Sequence, residues 1–206
     1  MMIGGMHVTQ LVALSLRQPG AAARHVIAMQ VPRDTLWTVL VLAAALNAIL
    51  SWAIQAITPP LPPEYAENGI ILPAFMDSPV LVFVFSAAGM VLMIHLLHWV
   101  GAMLGGTGQL GDMLASIAWM HILRVMVQSV MLVLLLVAPP MASLFALVVI
   151  VMSIWIMLHF INEGANLGSI PKTIGLLAIV FVGFVFGLSL ILTVTGLAPM
   201  MLDQNV

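Results

Sequence analysis

Apolar residues run through this chain in long uninterrupted blocks, and polar residues and turn formers collect in the joints between them. Blocks at 36–57, 80–104, 113–137, 141–161 and 173–196 are each long enough to cross a hydrocarbon core of ~30 Å at about 1.5 Å rise per residue. The joints carry residues that end helices: the Pro59-Pro60-Leu61-Pro62-Pro63 run, Gly105-Gly106-Thr107-Gly108, Pro139-Pro140, and the stretch from Gly164 to Pro171. The pattern predicts an all-α fold, a polytopic integral membrane bundle of five transmembrane helices.

Ahead of the first block the spacing changes. Val8, Leu11, Val12 and Leu14 precede Pro19-Gly20, and Val26, Ile27 and Met29 follow beside Arg24 and His25, which predicts two short amphipathic helices lying at the headgroup level with arginines toward anionic lipid, the alternative being a partly disordered tail. Pro32 suits the turn into the first span, with Trp37 near that interface. This divides the chain into an N-terminal interfacial segment (1–34), a transmembrane domain (35–198) and a short tail (199–206). Met1 to Gln10 lack a basic stretch followed by an apolar core, so no cleavable signal peptide is expected.

Composition sharpens the picture. Of 206 residues 63% are hydrophobic and 6% charged, with a mean hydropathy of +1.23, against roughly 25% charged in a soluble domain. A net charge of −2 with five Lys and Arg offers no footprint for a phosphate backbone, so nucleic acid is not an expected partner. The absence of Cys removes disulfides, thiolate metal sites and Cys nucleophiles. Arg17, Arg24 and Arg33 precede the first span and Lys172 lies in the fourth joint, while the first joint holds Glu64, Glu67 and Asp77. The positive-inside rule then puts the N-terminus in the cytoplasm and the C-terminus outside.

Ionisable groups inside spans are expensive and need a reason. The second span carries His95 and His98, the third His121, Arg124 and Gln128, and the fourth ends on His159, Asn162 and Glu163, at spacings that keep each set on one helix face. His121 and Arg124 fall about 12 Å and 16 Å along the third span, so Arg124 is expected to face the bundle and reach toward the cytoplasmic side. One reading makes His121, Arg124, Gln128, Asn162 and Glu163 a structural cluster near the cytoplasmic face, with an Arg124–Glu163 pair, direct or through water, at its centre. The other makes His95, His98, His121, His159 and Glu163 candidate ligands for a transition metal. His-Glu-x-x-His, a phosphate loop and a Gly-x-Ser-x-Gly elbow are all missing, so no catalytic residue and no other cofactor is expected. Gly101 with Gly105, and Gly183 with Gly187, have the small-residue spacing that lets helices approach closely, as partners within the chain or in a second copy.

Five spans, the Arg17-x-Pro19 to Arg24 segment, the Gly105-Gly106-x-Gly108 joint and the polar joint after the fourth span together resemble the Yip family of Ypt/Rab-interacting membrane proteins, in its bacterial branch. The resemblance covers most of the chain. It implies a non-enzymatic protein of a bacterial inner membrane that organises or accompanies other membrane proteins or lipids. The family's Asp-Leu-Tyr-Gly-Pro-Phe-Trp motif is absent: Asp34-Thr35-Leu36-Trp37 matches only in part, and Leu110 stands where the family usually has an aromatic. The GTPase recruitment known in eukaryotic members is therefore not carried over. The leading expectation is a scaffold or accessory subunit bound to membrane lipids and to another membrane protein or itself. A metal- or ion-handling protein built on the histidines is the alternative.

Overall fold

A computed structural model of the chain describes residues 2–3, 6–58 and 78–194. After a two-residue antiparallel pairing of β1 (Met2–Ile3) with β2 (Met6–His7), every described element is helical: α1 Val8–Arg17, α2 Pro19–Ala28, α3 Arg33–Ile57, α4 Pro79–Met103, α5 Leu110–Val137, α6 Pro139–Ala165 and α7 Ile170–Val194. Five of these, α3 to α7, are long and apolar enough to cross a membrane, and the chain is an integral membrane protein. The proline run at 59–63, the acids at 64, 67 and 77, and the end of the last span lie outside the described residues.

Local chemistry sets most helix ends. Pro79 and Pro139 occupy the first turns of α4 and α6, where a missing N–H costs nothing and φ is already helical. Ser78 caps α4 through the Leu81 amide, and the Asp112 carboxylate accepts from the Gln109 amide at the start of α5 at 2.9 Å. A single residue, Ala138, joins α5 to α6, so these two helices pack as an antiparallel pair.

The core is not spread evenly. On α5 every residue from Met113 to Trp119 is buried, whereas none beyond Trp119 is. On α4 the buried positions are Met90, Ile94, Leu97, Val100 and Gly101, toward its C-terminal end. On α6 all but Ala142 lie between Ile156 and Ala165. The compact half of the bundle is thus the end that holds α1, α2 and the α4–α5 and α6–α7 joints, here called the basal end. The other, distal, half presents apolar side chains such as Val84, Val133, Leu147 and Ile150 to the bilayer.

The two short N-terminal helices belong to that core. Leu11 and Ser15 of α1 and Ala22 and Ala23 of α2 are fully buried, and α2 lies against α5 and α6. Their apolar faces therefore meet protein, and Arg17 and Arg24 on the opposite faces stay exposed. Amphipathic spacing alone cannot separate these two destinations, because lipid and a helix bundle ask the same of an apolar face.

Candidate functional site

Glycines decide how the basal end closes. α4 finishes in a Schellman motif, with Gly105 at φ +86°, the Gly106 amide donating to Gly101 O and the Gly105 amide to Ala102 O. α6 ends the same way on Asn166 at φ +49°, with the Leu167 amide donating to Asn162 O and the Asn166 amide to Glu163 O. The two caps lie side by side. Asn166 Nδ2 donates to Thr107 Oγ1 at 2.7 Å and the Gly108 amide to Ala165 O at 3.0 Å. A Cβ on Gly106 would stand 2.5 Å from Ala165 O, and one on Gly108 would run into the Gly164 carbonyl. The Gly-Gly-x-Gly joint is a backbone-to-backbone clasp that no side chain fits.

Side chains complete the clasp. Asn162 Oδ1 accepts from the Ser169 amide at 2.9 Å and from Thr173 Oγ1 at 3.1 Å, tying α6 to α7. Trp119 Nε1 donates to Ser15 Oγ at 2.9 Å, and Ser15 Oγ donates on to Leu11 O at 2.8 Å, tying α1 to α5. Arg24 Nη1 meets Glu163 Oε1 at 2.7 Å, with their side chains 64% and 21% exposed. The expected Arg124–Glu163 pair is thereby corrected. Glu163 is answered by the N-terminal helix α2, an arrangement hidden from any reading that sends Arg24 to the lipid surface.

Arg124 sits elsewhere, about 21 Å along α5 at 1.5 Å per residue, beside a cleft of about 450 Å³ between α3, α4 and α5. The polar lining is Asn47, Ser51 and Gln55 from α3, Ser86 from α4, and His121 and Arg124 from α5. Gln55 is near the end of α3 and Val82, also in the lining, near the start of α4, so the cleft runs from mid-bundle toward the distal end. Gln128 borders it, its Nε2 donating to Ser51 Oγ at 3.2 Å, and Asn47 Nδ2 donates to its own helix at Ala43 O. What remains is unmatched. Asn47 Oδ1, His121 Nδ1 and Gln128 Oε1 are buried without hydrogen-bond partners, and no described residue pairs with the Arg124 guanidinium.

The expected polar cluster is therefore two sites. His121, Arg124 and Gln128 edge the cleft, while Asn162 and Glu163 belong to the clasp. The histidines do not converge with Glu163 either. His95 stacks on Trp37 at 6.3 Å with Nδ1 2.7 Å from Val91 O, and His159 packs on Trp155 at 4.2 Å with Nδ1 2.9 Å from Trp155 O. Among the described residues no group of three His, Asp or Glu could hold a metal, so the candidate set of His95, His98, His121, His159 and Glu163 is not brought together. Ser129 Oγ donates to Val125 O one turn back. Of the spaced glycines, Gly101 packs against Ala165 and Leu176, whereas a Cβ on Gly183 or Gly187 would meet nothing within 4 Å.

The α3 contribution to the cleft had a readable signal: Asn47, Ser51 and Gln55 recur every fourth residue along an otherwise apolar span and so share one face. They are easily passed over because amides and hydroxyls carry no charge and do not stand out as ionisable groups do.

No curated protein and no solved structure matches the chain. A family model described as the Yip1 domain does match, over residues 13–191. That range runs from α1 through all five spans and takes in both the clasp and the cleft, and the chain belongs to the Yip1 domain family.

Proposed function

We propose that this chain is a non-enzymatic accessory protein of a bacterial inner membrane that works by holding another membrane component, lipid or protein. The observation that carries the reading is the mid-span cleft with an arginine that no described residue pairs. An arginine at that depth costs at least ~2.5–3.5 kcal/mol on insertion scales. A bundle that only needed to stand would fill the position with Leu. The cleft is rich in amides and hydroxyls, groups that bind well and react poorly, and His121 has no carboxylate among the cleft residues to orient it.

Charge supports an orientation with the basal end in the cytoplasm. Of the five Lys and Arg, Arg17, Arg24, Arg33 and Lys172 flank the basal ends of the spans.

Native mass spectrometry of the protein extracted gently from its own membrane tests the association. A reproducible companion, either a subunit, a second copy or a retained lipid, is the expected result. A bare monomer that turns over labelled lipid would overturn it in favour of an enzyme.

A further inference from the structure

The polar lining of the cleft specifies a ligand. Arg124 offers a planar fork of donors with a positive charge, which fits a phosphate or carboxylate through two parallel hydrogen bonds. Ser51, Gln55 and Ser86 line the same cleft and are not buried, so a hydroxyl or amine beside the anionic group would find acceptors there. The occupant that uses the whole lining brings an anionic group and hydroxyl or amine donors together, within about 450 Å³.

Place and shape decide how it arrives. The cleft runs from mid-span to the distal end, where Gln55 and Val82 line it, and its remaining lining, including Met90, Met93 and Ile117, is apolar. A lipid of the distal leaflet can lower its phosphate ester, with its hydroxyls or amine, through that end toward Arg124 while its chains stay in the bilayer. We propose that the cleft is a binding site for the phosphate ester headgroup of a membrane lipid, with Arg124 on the phosphate and Ser51, Gln55 and Ser86 on the headgroup hydroxyls or amine. The proposal deepens the association reading above and rests on it.

The test titrates phosphatidylglycerol onto the full, delipidated chain in mild detergent and reads bound lipid by native mass spectrometry. Wild type is expected to hold one lipid in preference to the rest. Arg124→Gln should weaken that binding at least tenfold. Gly89→Leu should do the same by filling the cleft, since a Cβ there meets nothing within 4 Å and Leu favours a helix over Gly. Should Arg124→Gln fail to fold by circular dichroism, Gly89→Leu carries the test alone. Arg24→Gln, at the basal surface, should bind as wild type does.

Displacement of the lipid by millimolar glycerol 1-phosphate would support the same headgroup chemistry with a soluble source also admitted. Equal binding by wild type, Arg124→Gln and Gly89→Leu would overturn the proposal. A companion subunit lost on Arg124→Gln, with no lipid held, would overturn it too while leaving the association reading intact. Neither lipid nor subunit would end both.

Discussion

The two ends of this bundle treat polar groups in opposite ways. At the basal end Asn162, Asn166, Trp119 and Glu163 each meet a partner on another helix or joint, and the backbone of the Gly106–Gly108 stretch touches that of α6. Among the described side chains there, His25 Nε2 and Ser116 Oγ are buried unpaired. Around the cleft Asn47, His121 and Gln128 all keep an unmatched atom, and Gly89 faces open space. Polar residues inside a membrane protein can hold helices together or wait for something else, and the difference lies in whether their hydrogen-bonding capacity is already used. The basal end is built as structure and the cleft as a site.

Glycines give the sharpest way to break that comparison. Gly108→Leu would drive a side chain into the Gly164 carbonyl and Ala165 backbone, which cannot move without opening both caps. The expected cost is at or beyond the ~1–3 kcal/mol of core overpacking, with loss of the monodisperse peak in fluorescence-detected size exclusion. Gly89→Leu should leave that peak unchanged. Equal loss in both variants would mean the two glycines do not differ in packing, and the division into clasp and cleft would fail.

The next effect has the opposite sign. Arg124→Leu removes a mid-membrane charge that no described side chain answers, so thermal stability in detergent should rise, by on the order of 1–3 kcal/mol, while binding is lost. The sequence pattern alone suggests otherwise, since an Arg124–Glu163 pair would make the same substitution destabilising. A fall in melting temperature would therefore show that Arg124 has a structural partner after all.

How much of this the sequence carries differs between the two ends. The spans are legible because a bilayer demands about 20 apolar residues per crossing, and α4 from Pro79 and α5 to Val137 lie close to the expected blocks. The Gly105-Gly106-x-Gly108 joint is legible as a break, but its need for glycine shows only when α6 is seen lying against it. Which helix face meets which neighbour is set by rotation and packing, and that is why Glu163 could be assigned to Arg124 when it belongs to Arg24. The histidines were misleading for the same reason: shared faces on separate helices do not bring His95 and His159 to one point, and each is already engaged with a tryptophan.

Within the clasp, Asn162→Ala strands the Ser169 amide and removes one acceptor from Thr173, which is fully buried. A loss of about 1–2 kcal/mol is expected, the cost of a hydrogen-bond donor left unsatisfied. The effect should appear as earlier hydrogen exchange at the start of α7, with α3 unaffected. Exchange that accelerated evenly across the chain would argue against a local tie.

The smallest effect belongs to the ion pair that looks most conspicuous. Arg24 and Glu163 approach to 2.7 Å, but Arg24 is 64% exposed, so water and salt screen the attraction and holding a long side chain costs entropy. A double-mutant cycle of Arg24→Gln and Glu163→Gln should return a coupling of ~0–1 kcal/mol that shrinks as salt is raised. α2 is then held chiefly by Ala22, Ala23 and Val26 against the bundle, and the pair sets its register. A coupling well above ~1 kcal/mol that ignored salt would mean that charge, rather than packing, keeps the N-terminal helices on the basal end. That end would then share the cleft's dependence on an arginine, and the contrast between them would narrow to whether the arginine's partner comes from within the chain.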